Sequence, residues 1–203
     1  MSSSFPSSIL YLPNLQGTYL PMESQCFDIQ KARIGYGLQE DLKLLEEQYQ
    51  GQQLMLGVSY GGLLAWKYAV QYSPPELRGV ILIDCLPSIA VFPRWRRTAL
   101  MLSNRTPLIF QVGMYQFYRL LRGDLRSDSY SVIRCRLNSI LMDFPRGFPA
   151  IPVLTLLSSD RFVEGWTEQA EQNPQVMVSH YSRENMQLDM CIQEFIGKKV
   201  DFT

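Results

Sequence analysis

Residues 54–66 read LMLGVSYGGLLAW: an apolar run, three glycines around one serine, then apolar residues resuming at helical spacing. A strand bound for an ordinary turn does not end in Gly57-Val58-Ser59-Tyr60-Gly61-Gly62. Glycine repeated at this density marks a bend so tight that Cβ atoms would collide. The bend lifts a serine hydroxyl to its apex, between a strand and a helix.

Similar short apolar runs recur at Ser8–Leu12, Cys26–Gln30, Gln53–Gly57, Gly79–Asp84, Pro152–Leu157 and Gln175–Ser179. Their length and unbroken hydrophobicity suit strands of a parallel sheet covered on both faces. Helical patterns lie between them. Gly37–Tyr49 puts Leu38, Leu42, Leu45 and Tyr49 on one face. Tyr60–Tyr72 is apolar nearly all round and stops at Ser73-Pro74-Pro75, as a buried helix would. Tyr181–Lys198 carries Met186, Met190, Ile192, Phe195 and Ile196. Strands and helices in alternation predict an α/β fold with right-handed crossovers.

The stretch from Ser88 to Ala150 differs. It shows no clear strand and many aromatics, so it is expected to be helical rather than one long loop. It holds ten arginines, no lysine and three aspartates, a charge of +7 in a chain whose formal net charge is zero. The remainder therefore carries −7. Residues 1–88 and 150–203 are expected to form the core and residues 89–149 a basic helical cap.

At 203 residues the chain can bury a sizeable single core, and its balanced charge gives no global pull toward nucleic acid. MSSSFPSSILYL lacks the basic start of a secretory signal, and the most apolar run, Val80 to Phe92, is short and carries Asp84. A cytoplasmic protein without a transmembrane segment is expected. Cys26, Cys85, Cys135 and Cys191 have no metal-ligand spacing and read as reduced thiols, so no metal and no cofactor are expected.

A strand ending in Gly-x-Ser-x-Gly that opens into a helix is a nucleophile elbow. It projects Ser59 beyond the sheet's C-terminal edge, and the helix N-terminus behind it favours a developing oxyanion. Such a serine needs a base and an orienting acid. The chain has one histidine, His180, just after the last strand. A lone histidine is more often a bystander, but this one completes the order Ser…Asp…His. Two acids compete: Asp160, which ends the strand in AIPVLTLLSSDRFV, and Asp84, which ends the Gly79–Asp84 run. Both fall at the sheet edge where open α/β folds place their sites.

Together these residues resemble the α/β-hydrolases over most of the chain. LMLGVSYGGLLAWKYA resembles the elbow strand and helix, IPVLTLLSSDRFV the acid-bearing strand, and VSHYSRENMQLDMCIQEFIGKKV the histidine loop and last helix, with Glu184 shortly after the histidine. The resemblance implies Ser59 as nucleophile, His180 as base then acid, and Asp160 as orienting group. GVSYGG and ILIDCLPS are also similar to the thioesterases of polyketide, peptide and fatty-acid synthesis, a branch that favours Asp84. Where relatives carry His-Gly or His-Pro with glycines after the first core strand, this chain reads Leu12-Pro13-Asn14-Leu15-Gln16-Gly17. A backbone donor needs no particular side chain, so Leu15 or Asn14 can serve beside the Tyr60 amide as the oxyanion hole. The family's usual first two strands have no counterpart, which implies a minimal, mostly parallel sheet of about six strands.

The cap bears on substrate. LIFQVGMYQFYRLL, with Tyr115 and Tyr118, suits an apolar acyl or aryl pocket, though such residues also simply pack a cap onto a body. Arg94, Arg96 and Arg97 suit an anion: the phosphates of coenzyme A, an acidic carrier protein or a substrate carboxylate. A plain solvated basic face is the bland alternative. Three functions follow in descending order of support. The first is a serine hydrolase of acyl thioesters or esters. The second is a lyase of this fold that abstracts a proton from an anionic substrate, and the third a non-catalytic binding protein.

Overall fold

The structure is a computed structural model; it describes residues 8–14, 27–35, 37–88, 147–181 and 188–199, with residues 94, 98, 107, 109–110, 113, 116–117 and 145 between. Six strands are β1 Ser8–Leu12, β2 Asp28–Lys31, β3 Leu54–Val58, β4 Gly79–Ile83, β5 Val153–Leu157 and β6 Val176–His180. Four helices are α1 Leu38–Gln48, α2 Tyr60–Tyr72, α3 Val163–Gln172 and α4 Leu188–Lys199. The sheet order is β2-β1-β3-β4-β5-β6, with every pairing parallel. Parallel neighbours demand crossovers, and helices supply them wherever the crossing residues are described.

β3, β4 and β5 are buried at every position, which explains their unalternating hydrophobicity. Leu10, Leu12, Met55, Val80, Leu82 and Val153 pack with α1, α2 and Trp166 of α3 on one face. On the other, Ile9, Leu54, Leu56, Ile81, Leu154 and Leu156 pack with Phe27 and with Ile192, Phe195 and Ile196 of α4. The elbow helix α2 is buried through Leu63, Leu64, Ala65, Trp66, Tyr68 and Ala69, and stops at Ser73, whose φ of 43° is left-handed. Pro74 and Pro75 then prevent its resumption.

The structure departs from the sequence pattern at two helices. The helix expected over Tyr181–Lys198 is described over Leu188–Lys199; Tyr181 is not helical, and residues 182–187 lie outside those described. Met190, one of the apolar residues of that stretch, is 60% exposed. Helix α3 was not expected: in VEGWTEQAEQ only Val163, Trp166 and Ala170 face the core, a narrow stripe among polar residues. Most of the expected cap at 89–149 lies outside the described residues. Helical backbone occurs at 94, 98, 109, 110, 113, 116 and 117. Among the described residues no helix is long and apolar enough to cross a membrane.

Candidate active site

The parallel ladder runs to one edge of the sheet. Val58 pairs with Ile83, Ile83 with Leu156, and Leu157 with His180. Just beyond, the Ser59 N–H donates to the Ile83 carbonyl at 2.8 Å, Asp84 N–H to Leu156 at 2.9 Å, and Tyr181 N–H to Leu157 at 3.1 Å. Ser59, Asp84 and His180 thus emerge at one level, at the C-terminal ends of three strands.

At the elbow Ser59 holds φ 53° and ψ −107° and is exposed. A side chain in that region costs about 1–3 kcal/mol and persists only where its surroundings enforce it. The glycines enforce it. A Cβ on Gly57 would collide with the Gly61 carbonyl and lie 2.5 Å from the Gly62 nitrogen; one on Gly61 would collide with the Leu12 carbonyl and lie 2.5 Å from that of Pro13. On Gly62 it would sit 2.9 Å from the Gly57 carbonyl and 3.3 Å from the Cys85 Cβ. Helix α2 is therefore pressed against the ends of β3 and β1. Its first backward bond runs from Leu63 N–H to the Ser59 carbonyl at 3.1 Å. The amides of Tyr60, Gly61 and Gly62 precede that bond, at the positive end of the helix.

The Tyr60 side chain is buried, and its hydroxyl donates to Asp41 Oδ2 at 2.7 Å. Asp41, fully buried on α1, also accepts the Gly35 N–H at 3.0 Å. A buried carboxylate without donors would be very costly; here it ties the elbow to α1 and the loop before it. Asp41 was not singled out in the sequence, although its place among Leu38, Leu42 and Leu45 on one helix face was a signal.

The two candidate acids have different surroundings. Asp160 opens a 3-10 turn, Asp160–Phe162, three residues past β5. Its Oδ1 lies 3.9 Å from His180 Nδ1, with the carboxylate side chain 98% and the imidazole 54% exposed. That is longer than a hydrogen bond, as catalytic contacts often are without substrate. Asp84, at φ 48°, accepts from Ser158 N–H at 2.8 Å, Ser158 Oγ–H at 2.8 Å and Tyr181 O–H at 2.9 Å. Ser158 and Tyr181 went unremarked in the sequence, despite their places two before Asp160 and one after the sole histidine.

Asn14 lies two residues past β1, beside the carbonyls that Gly61 abuts; Leu15 lies outside the described residues. Arg94 is exposed, whereas Arg96, Arg97, Tyr115 and Tyr118 lie outside the described residues. Ile109, Phe110 and Phe117, from the segment expected to form a cap, are exposed. Burial pushes the Cys85 thiol up to about 12, so it stays protonated and is no rival nucleophile. Among the described residues no group of His, Cys, Asp and Glu is placed to hold a metal ion.

An alpha/beta hydrolase fold model matches residues 27–178, and the chain belongs to the α/β-hydrolase family. Among solved structures, MenH from S. aureus is similar over 95% of this chain and 94% of its own, with TM-score 0.63 and 15% identity. A crystal structure from a study of carboxylesterases of Nitrososphaera gargenis is similar over 95% and 90%, with TM-score 0.62 and 13% identity. The Vlm2 thioesterase domain is similar over 98% and 95%, with TM-score 0.58 and 12% identity. At these identities what is shared is the fold. No curated protein sequence matches the chain.

Proposed function

We propose that this α/β-hydrolase cleaves acyl thioesters or carboxylic esters in the cytoplasm through an acyl-enzyme on Ser59, beneath a cap formed by residues 89–149. Ser59 Oγ attacks the carbonyl carbon as His180 takes its proton. The Tyr60 amide, with Asn14 or Leu15 after β1, holds the oxyanion. The C–S or C–O bond then breaks, and His180 returns the proton to the departing thiol or alcohol. Water attacks the acyl-enzyme and yields a proton to His180, which passes it back to Ser59 Oγ as the free acid leaves. Asp160 orients the imidazole and offsets the charge of the imidazolium.

The observation that carries this reading is the backbone of Ser59, a strained and exposed serine enforced by glycines that admit no Cβ. An exposed side chain contributes no packing to offset such strain, so function is the better account. The exposed Ile109, Phe110 and Phe117 favour an apolar acyl group. The arginines of 89–149 favour an anionic carrier, either coenzyme A or an acidic carrier protein. The likeness to a thioesterase domain is in keeping with both.

One observation favours a second reading, a non-catalytic binding protein. Ser59 follows β3 and His180 ends β6, three strands away, or roughly 14 Å at ordinary strand spacing. Hydrolysis requires the histidine segment to close that gap over bound substrate.

Fluorophosphonate labelling of the intact protein, read by mass spectrometry, separates the two. Labelling on Ser59, abolished by Ser59→Ala and by His180→Ala, is expected. A folded wild-type chain that takes no label would overturn the hydrolase reading. Labelling without turnover of any thioester or ester would instead point to proton abstraction from an anionic substrate.

A further inference from the structure

We infer that Asp84 is a positioning residue: its carboxylate, gripped by Ser158 and Tyr181, sets the separation of His180 and Asp160. The inference rests on the proposed pairing of those two groups. An exposed carboxylate and imidazole 3.9 Å apart do little to fix each other, since surface pairs are weak and both side chains retain their freedom. Their geometry must come from the backbone segments that carry them. Ser158 lies two residues before Asp160, and Tyr181 directly follows His180. Both side chains donate to Asp84 Oδ2, and the Ser158 amide donates to Oδ1. Hydrogen bonds to an ionised acceptor are the strong kind. One carboxylate therefore staples the loops after β4, β5 and β6.

The strand order gives the staple a direction. β5 lies between β4 and β6, so the Tyr181–Asp84 bond reaches across the end of β5. It draws the segment bearing His180 toward the β3 end, where Ser59 stands. Asp84 adopts its left-handed φ of 48° at this point; aspartate enters that region more readily than most residues. A carboxylate engaged by three donors on the loops that flank the acid and the base acts through them, not on substrate.

The single histidine makes the test clean, because its ring carbons give the chain's only imidazole correlation signals in carbon–proton NMR. Tyr181→Phe deletes one hydroxyl and keeps the ring. It is expected to shift or split the His180 signal while unfolding remains cooperative. Asp84→Asn should move the signal further in the same direction, and adding Tyr181→Phe to Asp84→Asn should move it no more. A signal left in place by both variants while Tm falls would reduce Asp84 to a structural part. Additive shifts would likewise overturn the staple. If Asp84→Asn does not fold, Tyr181→Phe decides alone: a shift supports the staple, an unmoved signal overturns it. The readout needs no substrate or probe, so it stands apart from the labelling of Ser59.

Discussion

The two ends of the candidate active site are held by different forces. At Ser59 the holder is steric: three glycines let α2 close against β3 and β1, and any Cβ there would overlap backbone atoms. At His180 the holder is polar: the ring and Asp160 are exposed, and the neighbours Tyr181 and Ser158 are tied to the Asp84 carboxylate. Close packing transmits no partial answers, since an extra carbon either fits or forces movement. A hydrogen-bonded staple responds to the loss of a single heteroatom. The nucleophile end should therefore answer to changes of volume, and the base end to changes of polarity at constant volume.

The largest effect should separate the two carboxylates. Asp160→Asn is expected to lower kcat by roughly 10⁴, as loss of the orienting acid does in serine proteases. Asp84→Asn, acting through displaced loops, should cost on the order of 10². Steady-state assays side by side check this, and equal losses would erase the distinction between acid and positioner. Next comes volume at the elbow. Gly61→Ala should lower the unfolding free energy by about 3 kcal/mol or more, read from urea titration. A near-neutral result would mean that α2 is not pressed against β1. The smallest effect tests strain: Ser59→Gly should abolish labelling yet raise the unfolding free energy by about 1 kcal/mol. Lower stability would show that the Ser59 backbone is relaxed.

What was legible in the sequence was whatever rests on local sterics or continuous burial. The strands fall within two residues of the apolar runs, and Tyr60–Tyr72 begins and ends where Gly61-Gly62 and Ser73-Pro74-Pro75 require. What was not legible depends on partners distant in the chain. Asp84 stands at the end of an apolar run on any reading, but its donors come from 74 and 97 residues away. Trp166, the most buried residue of α3, is fixed by donating to the Cys85 carbonyl at 2.8 Å and by packing near Trp66 and Phe148. No periodicity announces such contacts. Tyr181 lies outside the expected helix, its hydroxyl donating to the Asp84 carboxylate just past β4.

Among the described residues β6 is a border strand of the sheet, paired with β5, and along it burial declines from a covered Val176 to an open His180. Border elements open at lower free energy than the interior they flank. The proposed general base thus rides on a border of the sheet, whereas the proposed nucleophile sits in its closed middle. On the proposed mechanism, warming or mild denaturant would cost activity before the body melts, leaving Ser59 on a folded core and its proposed proton acceptor displaced.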